Sequence, residues 1–199
     1  MTVYIPRHFA GDEATARRLI ADHPFALLVT GGGDGVHATH LPLVLDDAGT
    51  GLIGHVARVN PHWQAFVDGT TVAIFQGPHA FVSRGWYRDP GGNVPTWNYA
   101  AVHVTGRPTL ADAAETRAAV ERLSARFEDP ALAPVAEEKM QRLLKGIVAF
   151  RMPIEQLEVK FKMSQNKPAE VAGVIAALKA TGRHDELATA QWMETHGEG

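Results

Sequence analysis

Six short apolar segments crowd into residues 25–110, at 25–30, 36–45, 52–57, 71–76, 79–83 and 96–110. Glycine, proline, asparagine or aspartate punctuates the stretches between them. No helix-periodic stretch separates them. A parallel pair of strands needs a crossover of a dozen or more residues, usually a helix, so strands spaced this closely are expected to pair antiparallel. The glycines at 31–33 and 35 read as the turn of a hairpin whose second arm is 36–45. Pro42 and Pro108 have no N–H to give to a ladder and are expected at edges or bulges.

Helical periodicity is confined to the flanks. Residues 12–22 place Ala16, Leu19 and Ile20 on one side and stop at His23-Pro24. Residues 113–127 begin with Asp112 and Glu115 spaced as a capping pair, and 135–145 carry Met140, Leu143, Leu144 and Ile147 on one stripe. A strand at 147–163, broken near Pro153, precedes a helix that opens at Pro168, is striped by Val171, Val174, Ile175 and Leu178, and closes at Gly182; a short polar helix follows. The expectation is one domain over residues 1–199, mainly β with packed helices (α+β). It is an antiparallel barrel with helical additions at about 12–22, 113–145 and 168–194.

Composition narrows the chemistry. The 199 residues contain no cysteine, which removes disulfides, thiolate metal sites and cysteine nucleophiles. Arg7 and Pro6 interrupt the start of the chain where a secretory segment needs an apolar core, and no apolar run approaches a membrane span of roughly 18 residues, so a cytoplasmic protein is expected. The chain carries a net charge of -3, which disfavours a general nucleic-acid-coating surface. Residues 137–167 are the exception, with seven Lys or Arg against four Glu, a stretch to which an anionic ligand would be drawn.

Gly33-Asp34-Gly35-Val36-His37-Ala38 matches the dinucleotide pattern G-x-G-x-x-A, yet a strand follows it, so no helix N-terminus is there to hold a pyrophosphate. His37 and His40, three apart in a strand, project to opposite faces and cannot converge on one metal ion. Only three serines occur, and no G-x-S-x-G, H-E-x-x-H or P-loop pattern is present. Three features remain. Arg58, where a strand turns toward Asn60, offers a fork of donors suited to a phosphate. Lys160, Lys162 and Ser164 fall on one face of a strand that leads through Gln165-Asn166 into a helix start, an arrangement suited to an anion. Trp97 and Tyr99 share a face opposite Asn98, as core or as the wall of a planar ligand site.

Six segments in one order resemble the PaiB family: Tyr4-Ile5-Pro6-Arg7-His8-Phe9, His37-Ala38-Thr39-His40-Leu41-Pro42, Gly54-His55-Val56-Ala57-Arg58 with Asn60-Pro61, Phe75-Gln76-Gly77-Pro78-His79-Ala80, Val94-Pro95-Thr96-Trp97-Asn98-Tyr99, and Lys160-Phe161-Lys162-Met163-Ser164-Gln165-Asn166. The resemblance runs from residue 4 to about 180. It implies an FMN-binding split barrel, a homodimer with flavin at the subunit interface, in proteins described as negative transcriptional regulators. It further implies that Thr39, His40, Leu41 and Pro42 run along the isoalloxazine and ribityl chain, that Arg58 and Asn60 grip the phosphate, and that Gln76, Trp97, Asn98, Lys160, Lys162, Ser164 and Gln165 complete the pocket. His62 stands where Gln is more familiar in the family, and the loop at 84–93 has extra glycine and no lysine. The alternatives are an FMN-dependent oxidoreductase using NAD(P)H and a haem-binding or haem-degrading protein. DNA is a possible partner without a visible recognition motif.

Overall fold

A computed structural model describes residues 3–33 and 35–196. It is α+β, with five helices and nine strands among the described residues. The strands form two sheets, one ordered β2 (Gly35–Pro42), β1 (Phe25–Gly32), β5 (Thr70–Val82), β6 (Thr96–Gly106) and β9 (Gln156–Lys162), the other β3 (Val44–Leu45), β4 (Gly51–Ala57), β8 (Ile147–Pro153) and β7 (Thr109–Leu110). Two compact units divide the chain; within the described residues one comprises 20–75 and 103–157, the other 3–19, 76–102 and 158–196.

In the first unit, β1 (Phe25–Gly32) and β2 (Gly35–Pro42) pair antiparallel from Phe25↔Pro42 to Gly32↔Gly35. Gly33 and Asp34 join them; Asp34, part of the expected glycine turn, lies outside the described residues. Period-two alternation buries Ala26, Leu28 and Thr30 on β1, while β2 forms the edge of its sheet and leaves Val36 75% exposed. The expected strand 36–45 is two strands, β2 and β3 (Val44–Leu45), which belong to different sheets on either side of Leu43. β4 (Gly51–Ala57) pairs with β8 (Ile147–Pro153) along its full length. Across them lies α2 (Ala113–Phe127), which buries Ala119 and Leu123 and is closed at its start by a reciprocal capping box between Asp112 and Glu115. α3 (Glu137–Lys145) has no buried residue.

The expected strands 71–76 and 79–83 are one, β5 (Thr70–Val82), with Gly77-Pro78 inside it. Pairing with β1 ends at Ile74, so the missing N–H of Pro78 faces no β1 partner. The expected strand 96–110 breaks at Arg107-Pro108 into β6 (Thr96–Gly106) and β7 (Thr109–Leu110), again in different sheets.

In the second unit, α1 (Glu13–Asp22) contributes Ala16 and Leu19 to the core, and a Cβ on Gly77 would stand 2.8 Å from Leu19 Cδ1. β9 (Gln156–Lys162) contributes Val159 and Phe161 to that core. α4 (Pro168–Ala180) ends at Gly182, whose φ of 66° is the left-handed stop that glycine adopts without strain. α5 (His184–His196) is expected to be polar but buries Thr189, Ala190, Trp192 and Met193, because it pairs with α4 and sets Trp192 against Phe161 at 5.7 Å.

Candidate functional site

In the first unit, the alternation of β2 sends His37 and Thr39 to one face and His40 to the other. His37 stacks on His62 at 5.7 Å between centroids, and His40 stacks on Phe25 at 6.1 Å. The chain after β4 turns at Asn60 into a short 3-10 segment, Pro61–Phe66. Asn60 Oδ1 accepts from the His62 backbone N–H at 3.0 Å, so its amino group is the one that donates to Thr39 Oγ1 at 3.1 Å. His62 Nδ1 lies 2.8 Å from the same hydroxyl, and its Nε2 lies 2.9 Å from Thr30 Oγ1, which is 2.8 Å from Thr71 Oγ1. His62 is 1% exposed. Burial, with a smaller contribution from His37, pushes its pKa down to about 4, so the ring is neutral at physiological pH. Leu41 is buried and Pro42 half-buried at the end of β2.

Arg58 is exposed and partly committed. Its backbone N–H donates to Gly146 O, its Nε to Lys145 O at 2.8 Å and its Nη2 to Ile147 O at 2.7 Å, so it fastens the end of α3. Nη1 makes no hydrogen bond among the described residues, which leaves donors for a ligand.

The second unit presents an open sheet face. Trp97 is 53% exposed, with His79 at 6.2 Å and Phe81 at 6.0 Å between ring centroids. Gln76 is exposed and pairs with His79 Nδ1 at 3.2 Å. Lys162 Nζ donates to Thr96 Oγ1 and to Trp97 O. Burial, followed by repulsion from Lys160 and Lys167, lowers its pKa. Lys160 donates to Tyr4 O and sits 5.5 and 5.6 Å from the Tyr4 and Tyr99 rings.

Ser164 does not share the lysine face. β9 ends at Lys162, and Ser164 takes φ 67°, which breaks the alternation and buries its side chain against Asn98 at 2.9 Å. Asn98 Nδ2 also reaches Met193 Sδ at 3.4 Å. Gln165 folds back, accepting from Met163 N and donating to Phe161 O. These three residues shape the turn from β9 into α4 and spend their polar atoms inside the protein.

Of the residues singled out from the sequence, Thr39 and Asn60 meet in the first unit, and Trp97 with Lys162 and Asn98 with Ser164 meet in the second. Sequence reasoning missed His62, Thr30 and Thr71, which hold Thr39, and His79 and Phe81, which widen the aromatic face. The second set carried a signal, because His79 and Phe81 alternate on β5 as Trp97 and Tyr99 do on β6. The first set joins Thr39 of β2 to β1 and β5 through single polar atoms, and its one trace in the sequence is His62 standing where Gln is more familiar.

Residues 3–156 match the family described as "Putative FMN-binding domain". The protease synthase and sporulation protein PAI 2 of Bacillus subtilis (strain 168) is 32% identical over 202 residues, spanning 96% of this chain and 97% of that protein. The chain belongs to the PaiB family. An uncharacterized protein of Aspergillus fumigatus is 27% identical over 241 residues, spanning 92% of each chain. Among solved structures, the FAD and heme binding protein of Mycobacterium smegmatis superposes with a TM-score of 0.61 at 13% identity over 76% of this chain and 71% of its own. The flavocytochrome Anf3 of Azotobacter vinelandii gives 0.63 at 14%, over 79% and 72%. Both likenesses are of fold, and the fold is the split barrel.

The PaiB chain's own donor set fits the cofactor of its family, FMN. The open face of Trp97, Phe81 and His79 suits a planar ring system, and the neighbouring ammonium groups keep unspent N–H donors for a phosphate. No helix of the described residues is long and apolar enough to cross a membrane.

Proposed function

We propose that this chain binds FMN as a PaiB-type homodimer with the flavin at the subunit interface, and that it acts as a negative regulator of transcription. One observation carries the binding reading: the half-exposed Trp97 and the half-buried Lys162 stand together on one sheet face, Lys162 being bonded to the Trp97 carbonyl at 2.6 Å. An aromatic plane beside an ammonium group serves both halves of FMN, the ring by stacking and the phosphate by charge. Thr39, His40, Leu41, Pro42, Arg58 and Asn60 are further FMN-binding residues in this reading, with Gln76 and Lys160, while Asn98, Ser164 and Gln165 support the pocket from inside the protein. FMN, when bound, supplies two-electron redox chemistry; the residues here bind and orient it.

The dimer reading is supported by β2, an edge strand whose outer side has no partner in its sheet and which keeps Val36 exposed, a surface that proteins seldom leave open. The regulatory reading is supported by the Bacillus relative, whose name ties it to protease synthesis and sporulation. Flavin fluorescence titration tests the binding: the native chain quenches FMN saturably, while Lys162→Gln and Trp97→Ala each weaken it at least tenfold. Equal affinity in both variants would show that other groups hold the cofactor. Gel shifts at moderate salt test direct DNA binding, which requires a shift that Lys160→Ala abolishes; no shift with any DNA excludes it.

A further inference from the structure

Asn60 fixes one bond of the Thr39 hydroxyl. The amide's oxygen is engaged by the His62 backbone N–H, so its amino group points at Thr39 Oγ1 and fills one lone pair. That leaves Thr39 one proton and one lone pair, to be divided between His62 Nδ1 and whatever lies on the open side of β2.

Neutral imidazole carries its proton on one nitrogen only, and the geometry accepts either. With the proton on Nε2, His62 donates to Thr30, Nδ1 accepts the Thr39 proton, and Thr39 offers a lone pair outward. With the proton on Nδ1, His62 donates to Thr39, Nε2 accepts from Thr30, Thr30 accepts from Thr71, and the Thr39 proton is released outward. Both ring nitrogens of His62 have a partner in either arrangement, and no heavy atom moves. Thr30 and Thr71 are fully buried and His62 nearly so, so water does not scramble the order. His37, stacked on His62, is the other titratable ring at this relay.

We propose that the Thr71–Thr30–His62–Thr39 chain is a tautomeric relay. It sets whether Thr39 meets a ligand as hydrogen-bond donor or acceptor, making His62 a positioning residue for the cofactor. The proposal rests on the reading that Thr39 is part of the FMN site. The rim of oxidised isoalloxazine is mostly acceptors, so it selects the Nδ1–H tautomer, in which Thr39 donates. A ligand edge that donates selects the opposite state, so one pocket serves rings of either polarity.

Nitrogen-15 NMR of the histidine-labelled full chain reads the tautomer directly, with His62 assigned by its loss in His62→Gln. The expected result is an Nδ1–H ring for His62 in the complex with oxidised FMN. It is joined by a loss of FMN affinity of about tenfold in Thr39→Val and a recovery in Thr39→Ser, which keeps the hydroxyl. FMN binding with His62 as the Nε2–H tautomer, or with Thr39→Val at native affinity, would overturn the relay and leave the FMN reading standing. No binding by the native chain would overturn both.

Discussion

His62 is kept neutral by burial, and that choice ties stability to pH. Its folded pKa of about 4 lies below the 6.5 of an unfolded histidine, so the unfolded chain binds the extra proton first. The associated stability is fully present above about pH 6.5 and is lost as pH falls toward 4, by up to roughly 3 kcal/mol. Burial lowers the pKa of His23 and His55 in the same direction. Urea unfolding at pH 7, 5 and 4 should therefore show the native chain weakening more steeply than His62→Gln; identical slopes would contradict the buried neutral ring. Arg58 makes a second case. Its side-chain bonds to the Lys145 carbonyl at the end of α3 and the Ile147 carbonyl at the start of β8 predict that Arg58→Ala lowers stability by about 1 kcal/mol, a Tm decrease of roughly 2–4 °C, whatever it does to FMN. An unchanged Tm would show that the staple contributes nothing.

At the scale of elements, the capping box of α2 is the clearest local device, and Asp112→Ala should cost about 1 kcal/mol in thermal or urea unfolding, with Asp112→Asn costing less. A cost near zero for Asp112→Ala would mean that packing of Ala119 and Leu123 alone sets that helix. This helix was fully legible in the sequence, start and end, because a cap and an apolar stripe are local signals. So were the alternation of β2 that separates His37 from His40 and the placing of Trp97 and Tyr99 on one face of β6. The turn after β9 was not, since the left-handed Ser164 is held by Asn98, 66 residues away in sequence. Nor was the division of residues 36–45 between two sheets, which depends on partners that lie far off in the chain. Motif order placed Thr39, Asn60, Trp97 and Lys162, while the buried hydroxyls behind Thr39 required the fold.

For the whole molecule, the proposed dimer would associate through the edge strand β2, and a net charge of -3 disfavours a nucleic-acid-coating surface. Light scattering should then report twice the 21.5 kDa chain mass, and Val36→Lys, which places a charge on that edge, should shift the chain toward monomer without unfolding it. A monomeric native chain would remove the interface from the account. FMN binding by this chain is tested most directly by an absorbance spectrum of the purified protein, taken after adding FMN and removing the excess. Flavin bands that remain with the protein, at about one FMN per chain, are the predicted result; a spectrum free of flavin would contradict it.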